Sequence, residues 1–138
     1  MSISIQEMEK TVAELTAPGK GILAADESAG TIEKRLKAVN VTSTEETWRD
    51  YRELLFSTPR LGDFISGVIL FEETIKQKTA AGVPLTQLLT AQGIVLGIKV
   101  DKGTILLAGF PQEKVTQSLD GLALRLSEYK QLGARFAK

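Results

Sequence analysis

IVLGIKVDK, residues 94–102, is the stretch whose reading decides the fold. Its apolar part, Ile94, Val95, Leu96 and Ile98, is rich in branched residues and lacks the apolar/polar alternation of a half-exposed strand. It therefore reads as a strand covered on both faces, the kind found in parallel sheets. The run then turns ionisable at Lys99, Asp101 and Lys102. The same order recurs in ILAAD (22–26), VILFEE (68–73) and ARFAK (134–138). Parallel α/β architectures collect their working groups at the carboxyl ends of buried strands. An acid or a lysine at the end of each run thus predicts one shared mouth, and a chain that stops at the last of them predicts a mouth that is incomplete.

Helical periods separate these strands. Ile5, Met8, Val12 and Leu15 fall on one face of a helix that Pro18 and Gly19 end. After the first strand, Asp26, Glu27, Ser28 and Gly30 form a turn that caps a helix over residues 31–38. Ser43 with Glu46 has capping-box spacing, and Trp48, Tyr51, Leu54 and Leu55 place one apolar stripe on the helix that follows. Residues 65–71 read as the second strand, 72–80 as the start of a helix broken by Gly82 and Pro84, and 85–91 as a short helix. Residues 104–112 read as a loop or hairpin. Leu119, Leu122, Leu126, Tyr129 and Leu132 mark a last helix that Gly133 ends, before a fourth strand at 134–138.

Composition removes several classes of function. The chain has 138 residues, 43% of them hydrophobic and 25% charged, which suits one globular domain. Seventeen basic residues balance seventeen acidic ones, so no overall field draws it to nucleic acid. There is no cysteine, hence no disulfide, thiolate metal site or cysteine nucleophile. There is no histidine either, so proton chemistry falls to carboxylates, lysines and tyrosines. No apolar run approaches the ~20 residues of a membrane span, and MSISIQEMEK has no signal-peptide pattern. The expected setting is the cytoplasm, with no membrane and no nucleic-acid partner.

Two closures of a parallel sheet remain. An open doubly wound sheet fits this length, whereas a (β/α)8 barrel needs roughly 200 residues or more. A terminal strand with no helix to follow it leaves an unprotected edge, which favours the barrel.

The segments GKGILAADESAGTIEKRL (19–36), GVILFEET (67–74), LGIKVDKG (96–103) and LDGLALRLSEYKQLGARFAK (119–138) together resemble class I fructose-bisphosphate aldolases, the Schiff-base enzymes of glycolysis. The four blocks in order are far more specific than any one of them. The resemblance implies an α/β (β/α)8 barrel of which residues 1–138 are the N-terminal half, supplying roughly the first four strands. It implies a lyase that cleaves fructose 1,6-bisphosphate reversibly to dihydroxyacetone phosphate and glyceraldehyde 3-phosphate, with no metal and no cofactor. A lysine amine attacks the ketone, and the iminium withdraws electrons as the carbon–carbon bond breaks. In the family that lysine lies on the sixth strand, beyond this chain. The implied partners are a sugar phosphate and, as a homo-oligomer, further subunits of a tetramer, or else the missing barrel half. The alternative is a non-catalytic half-barrel that binds a partner chain or a phosphate.

Carried over residue by residue, the resemblance assigns catalytic roles to Asp26, Lys99 and Lys138. Asp26 matches the strand-one aspartate that supports cleavage, Lys99 a strand-three lysine lining the site, and Lys138 the strand-four lysine that stabilises charge. Two neighbouring ammonium groups depress each other's pKa, and Asp26 restores the cation it touches. The plain alternatives are a helix cap for Asp26, a surface lysine at 99 and a frayed terminal residue at 138. Ser28 and Arg35 are the expected substrate-binding residues, near a helix N-terminus after Gly30 that could hold an anion. Asp101 could orient Lys99 from the next turn. Glu72 and Glu73 read as the start of a helix, and Trp48 and Tyr51 as core.

Overall fold

The computed structural model describes residues 4–138. Four strands form one parallel sheet in the order β1-β2-β3-β6: β1 (Gly21–Ala25), β2 (Ile65–Leu70), β3 (Val95–Ile98) and β6 (Phe136–Ala137). Helices α1 (Ile5–Leu15), α2 (Ala29–Ala38), α3 (Glu45–Phe56), the single turn α4 (Leu61–Phe64), α5 (Leu85–Thr90) and α6 (Leu122–Gln131) precede or connect them. Strands β4 (Thr104–Leu107) and β5 (Phe110–Thr116) make a separate antiparallel hairpin after β3.

Register divides the sheet into two faces. Ala25, Leu70, Ile98 and Ala137 are paired across all four strands, as are Ala24, Ile69, Gly97 and Phe136 one residue earlier. Successive residues of a strand point to opposite faces. Val68, Leu70, Leu96 and Ile98 join Phe56, Leu85, Leu89 and Tyr129 in the buried core, so this outer face lies beneath α3, α5 and α6. The inner face is lined differently. The Phe136 ring and the Leu15 side chain lie so close to Gly97 and Gly67 that a Cβ at either glycine would come within 2.2 and 2.5 Å of them. Ile22, on the same face, is 48% exposed.

Several local expectations need correction. The capping box of α3 is Thr44 with Thr47, whose hydroxyl accepts from the Thr44 N–H at 2.9 Å, and Ser43 instead accepts the Trp48 indole N–H at 2.8 Å. The buried residues of α3 are Arg52 and Phe56, while Leu54 is 70% exposed, because the inward face runs through Trp48, Arg52 and Phe56 rather than through Tyr51 and Leu54. Residues 72–80 form only a 3-10 turn, Thr74–Lys76, after which Lys78 bridges to Pro84 and the chain doubles back. Ile5, Met8 and Val12 of α1 and Leu119, Leu126 and Leu132 around α6 are exposed. Their periodicity located the helices without identifying what covers them.

Candidate functional site

One residue beyond the last fully paired row, the four strands deliver Asp26, Phe71, Lys99 and Lys138. By alternation these share the inner face. The expected catalytic residues therefore stand side by side at the carboxyl ends of β1, β3 and β6.

Lys138 Nζ donates to Asp26 Oδ2 at 2.8 Å. The two residues come from the edge strands of the sheet. In a flat sheet those edges would lie about 14 Å apart, three strand spacings, and side chains standing off its surface could not meet. The contact thus requires a sheet curled toward its inner face, as in the wall of a barrel. Asp26 is buried and the Lys138 side chain is half exposed. The hydrogen bond to Asp26 holds the Lys138 ammonium above its ordinary pKa, with the charge of Asp101 adding to it and slight burial opposing. An amine held this way is cationic at neutral pH, suited to stabilising an oxyanion or giving up a proton, and poorly suited to attack a carbonyl.

Lys99 has a different partner. Its ammonium forms an ion pair with the Asp101 carboxylate and donates to the Asp101 carbonyl at 3.3 Å. Lys99 first, then the Gly103 N–H, which donates to Oδ1 at 3.0 Å, draw the Asp101 carboxyl below its usual range. Asp101 thus orients Lys99, as its place in the next turn suggested. Ser28, Phe71, Glu72, Lys99, Asp101, Lys102, Gly103 and Arg125 line an open cavity of about 430 Å³. Two other depressions, of about 410 and 260 Å³, lie at the opposite ends of the strands around Gly133 and Arg135.

The two expected substrate-binding residues separate. Ser28 lines the cavity and is the N-cap of α2, though its hydroxyl contacts Thr31 Oγ1 at 3.3 Å rather than a backbone N–H. The helix starts at Ala29, so Gly30 lies within its first turn rather than before it. Arg35 does not line the cavity. Its guanidinium pairs with Glu27 and donates to the Tyr51 hydroxyl at 3.1 Å, and both partners raise its pKa. Tyr51 is accordingly half buried in a polar cluster instead of in the apolar core.

Sequence reasoning overlooked Arg52, which is only 2% exposed and ion-paired to the buried Glu27 carboxylate. The available signal was position: Arg52 stands four residues after Trp48 and four before Phe56, on the face turned inward. A charge there needs a buried partner. Arg125 was also overlooked. Its guanidinium donates to the carbonyls of Val100 (3.0 Å) and Ser118 (2.6 Å), tying both ends of the hairpin segment to α6. Among the described residues no cluster of carboxylates could hold a metal ion, and no helix is long and apolar enough to cross a membrane.

The chain has counterparts among known proteins, in sequence and in fold. The family model for glycolytic class-I fructose-bisphosphate aldolase matches residues 7–138. The chain belongs to the class-I fructose-bisphosphate aldolase family. It is 57% identical over 136 residues to a probable class 1 aldolase of Xanthomonas axonopodis pv. citri, covering 99% of this chain and 41% of that protein. It is 56% identical to fructose-bisphosphate aldolase 1 of Toxoplasma gondii, covering 96% of this chain and 38% of the relative. The cytoplasmic isozyme of Cicer arietinum is 54% identical, with 96% and 37% covered. A solved aldolase of Plasmodium falciparum, crystallised with TRAP and a small-molecule inhibitor, superposes with a TM-score of 0.93 at 53% identity, over 96% of this chain and 38% of that one. The fold is therefore that of the aldolase (β/α)8 barrel, and the chain spans about two fifths of the length of these relatives.

Proposed function

We propose that residues 1–138 are the N-terminal half of a single (β/α)8 barrel that cleaves fructose 1,6-bisphosphate reversibly to dihydroxyacetone phosphate and glyceraldehyde 3-phosphate. The observation that carries this reading is the Lys138–Asp26 contact at 2.8 Å, closed across the sheet beside Lys99. In the complete barrel a lysine outside these residues forms the imine. Lys138, kept cationic by Asp26, stabilises the oxyanion that develops as the ketone is attacked and the carbon–carbon bond breaks. Asp26 accepts or returns the accompanying proton. Lys99, steered by Asp101, and Ser28 face the cavity and suit an anionic phosphate or a sugar hydroxyl. Arg35, on the rim and tied to Glu27, reaches substrate only by exchanging that partner.

The implied partners are a sugar phosphate, the remaining strands of the barrel, and further subunits of a homo-oligomer. Cytoplasmic and cytosolic plant isozymes among the relatives support a cytoplasmic setting for this chain.

The test pairs the 138-residue chain with the C-terminal remainder of a relative's barrel, co-expressed and purified as a complex. Cleavage is followed by coupled reduction of the products, and dihydroxyacetone phosphate with borohydride traps any imine for intact-mass analysis. Activity with the adduct on the C-terminal piece is the expected result. A folded, inactive complex would sink the proposal, and an adduct on Lys99 or Lys138 would overturn the assignment of roles.

A further inference from the structure

We infer that Arg52 is a positioning residue for the Asp26–Lys138 pair, a strut from α3 that ties the loop after β1 to the loop after β2. Its guanidinium makes contacts in three directions. Nη1 pairs with the Glu27 carboxylate, Nη2 donates to the Glu27 carbonyl at 3.1 Å, and Nε donates to Thr74 Oγ1 at 3.3 Å. Glu27 immediately follows Asp26, and Thr74 lies in the turn after β2, a few residues past Phe71. Glu73, beside Thr74, also feels the Arg52 charge.

The chemistry suits a strut. Arg52 and Thr74 are 2% and 1% exposed, so neither can trade its partner for water. A buried arginine keeps its charge, and its planar fork fixes the directions of the groups it binds. By holding both the side chain and the carbonyl of Glu27, it fixes the peptide that leaves Asp26. A small rotation there would swing the Asp26 carboxylate off the Lys138 ammonium. Arg35 and Tyr51 grip Glu27 from the solvent side, which leaves Arg52 as its interior anchor. Arg52 touches neither Lys99 nor Lys138, so its effect on them runs through the backbone.

The importance of this strut for catalysis rests on the aldolase reading, but its geometry can be tested without turnover. The readout is the pH titration of the Lys138 ammonium, followed by NMR in the 138-residue chain, where the charged groups facing it are Asp26 and Asp101. Two variants are compared. Glu27→Leu/Arg52→Met removes both buried charges together, a replacement that is often neutral or stabilising. Arg52→Lys keeps the charge but loses the fork. Both are expected to remain folded and to move the Lys138 pKa back down toward the ordinary lysine value. Phe56→Leu, on the same helix face, lowers the urea midpoint and leaves that titration unchanged if the effect belongs to the strut. A folded variant of either kind with the wild-type Lys138 titration would overturn the inference, as would an equal shift in Phe56→Leu. A folded but inactive wild-type complemented barrel, with the Lys138 shift present in the variants, would count against the proposed function instead.

Discussion

The two faces of the four-stranded sheet carry similar numbers of apolar side chains and are covered unequally. On the outer face Val68, Leu70, Leu96 and Ile98 are sealed beneath helices. On the inner face Ile22 is half exposed, and Phe136 and Leu15 rest on bare glycine backbone. Helix α1 repeats the contrast, with Thr11 buried and Ile5, Met8 and Val12 in solvent. The difference teaches that these residues contain one finished core and one side of another. The stability of the chain comes from the outer face, and its chemistry sits at the rim of the inner one.

The sharpest way to break this contrast is to cut the same kind of group from each face. Leu70→Ala is expected to cost about 2–5 kcal/mol in urea unfolding, since the surrounding core cannot collapse to fill the gap. Ile22→Ala should cost less than about 1 kcal/mol in this chain, because little surface leaves water there. Comparable losses at the two sites would mean that the inner face is covered after all. Next in size is Gly97→Ala, whose Cβ would overlap the Phe136 ring. Overpacking of this kind costs about 1–3 kcal/mol, and Phe136→Leu in the same chain should recover most of it. Failure of that rescue in a double-mutant cycle would place the strain elsewhere.

The contrast was only partly legible in the sequence. Apolar runs ending in Asp26, Lys99 and Lys138 located three members of the rim layer, because strand register turns equal distance along parallel strands into proximity. What the sequence conceals is which neighbour covers a face. Ile5, Met8 and Val12 have the period of a packed helix, yet the face they form stays open. Arg52 hides in the opposite way, a charge on a helix face whose partner lies 25 residues earlier. The turn at Thr74–Lys76 escaped notice because Glu72 to Ala80 have ordinary helical propensities, and what cuts the helix short is the doubling back of the chain that pairs Lys78 with Pro84. Ser28 lines the cavity, whereas Arg35 is drawn aside by Glu27, a preference no spacing rule encodes.

Acidity sharpens the comparison between rim and outer loops by its sign. The Lys138 pKa is raised, so its pairing stabilises the fold fully below the ordinary lysine value of 10.5 and is lost as pH rises through the folded value. The Asp101 pKa is depressed, so its contribution is present above 3.8 and disappears as pH falls through the folded value. Glu73 behaves oppositely: burial raises its pKa, so stability declines as pH rises from 4.5 through the folded value. Glu73→Gln should flatten that decline in a pH series of urea midpoints while leaving the two rim titrations in place. A steeper decline in the variant would show that the ionised carboxylate is favoured where it sits.

The smallest expected effect belongs to the hairpin, which is neither face. Every residue of β4 and β5 is exposed, Ile105 and Phe110 included. Its base is closed by backbone, Lys102 N–H to the Gln117 carbonyl at 3.1 Å and Gln117 N–H to the Gly103 carbonyl at 2.9 Å, and is tied to α6 through Arg125. A side chain in water contributes little to folding whatever its hydrophobicity, so Ile105→Ser should change the unfolding free energy by no more than about 0.5 kcal/mol. Arg125→Ala, which frees the Val100 and Ser118 carbonyls, should instead raise hydrogen exchange at the hairpin base, as expected for a segment anchored at its ends. A large loss from Ile105→Ser with no change from Arg125→Ala would reverse that picture, making the exposed strand the anchor and the base incidental.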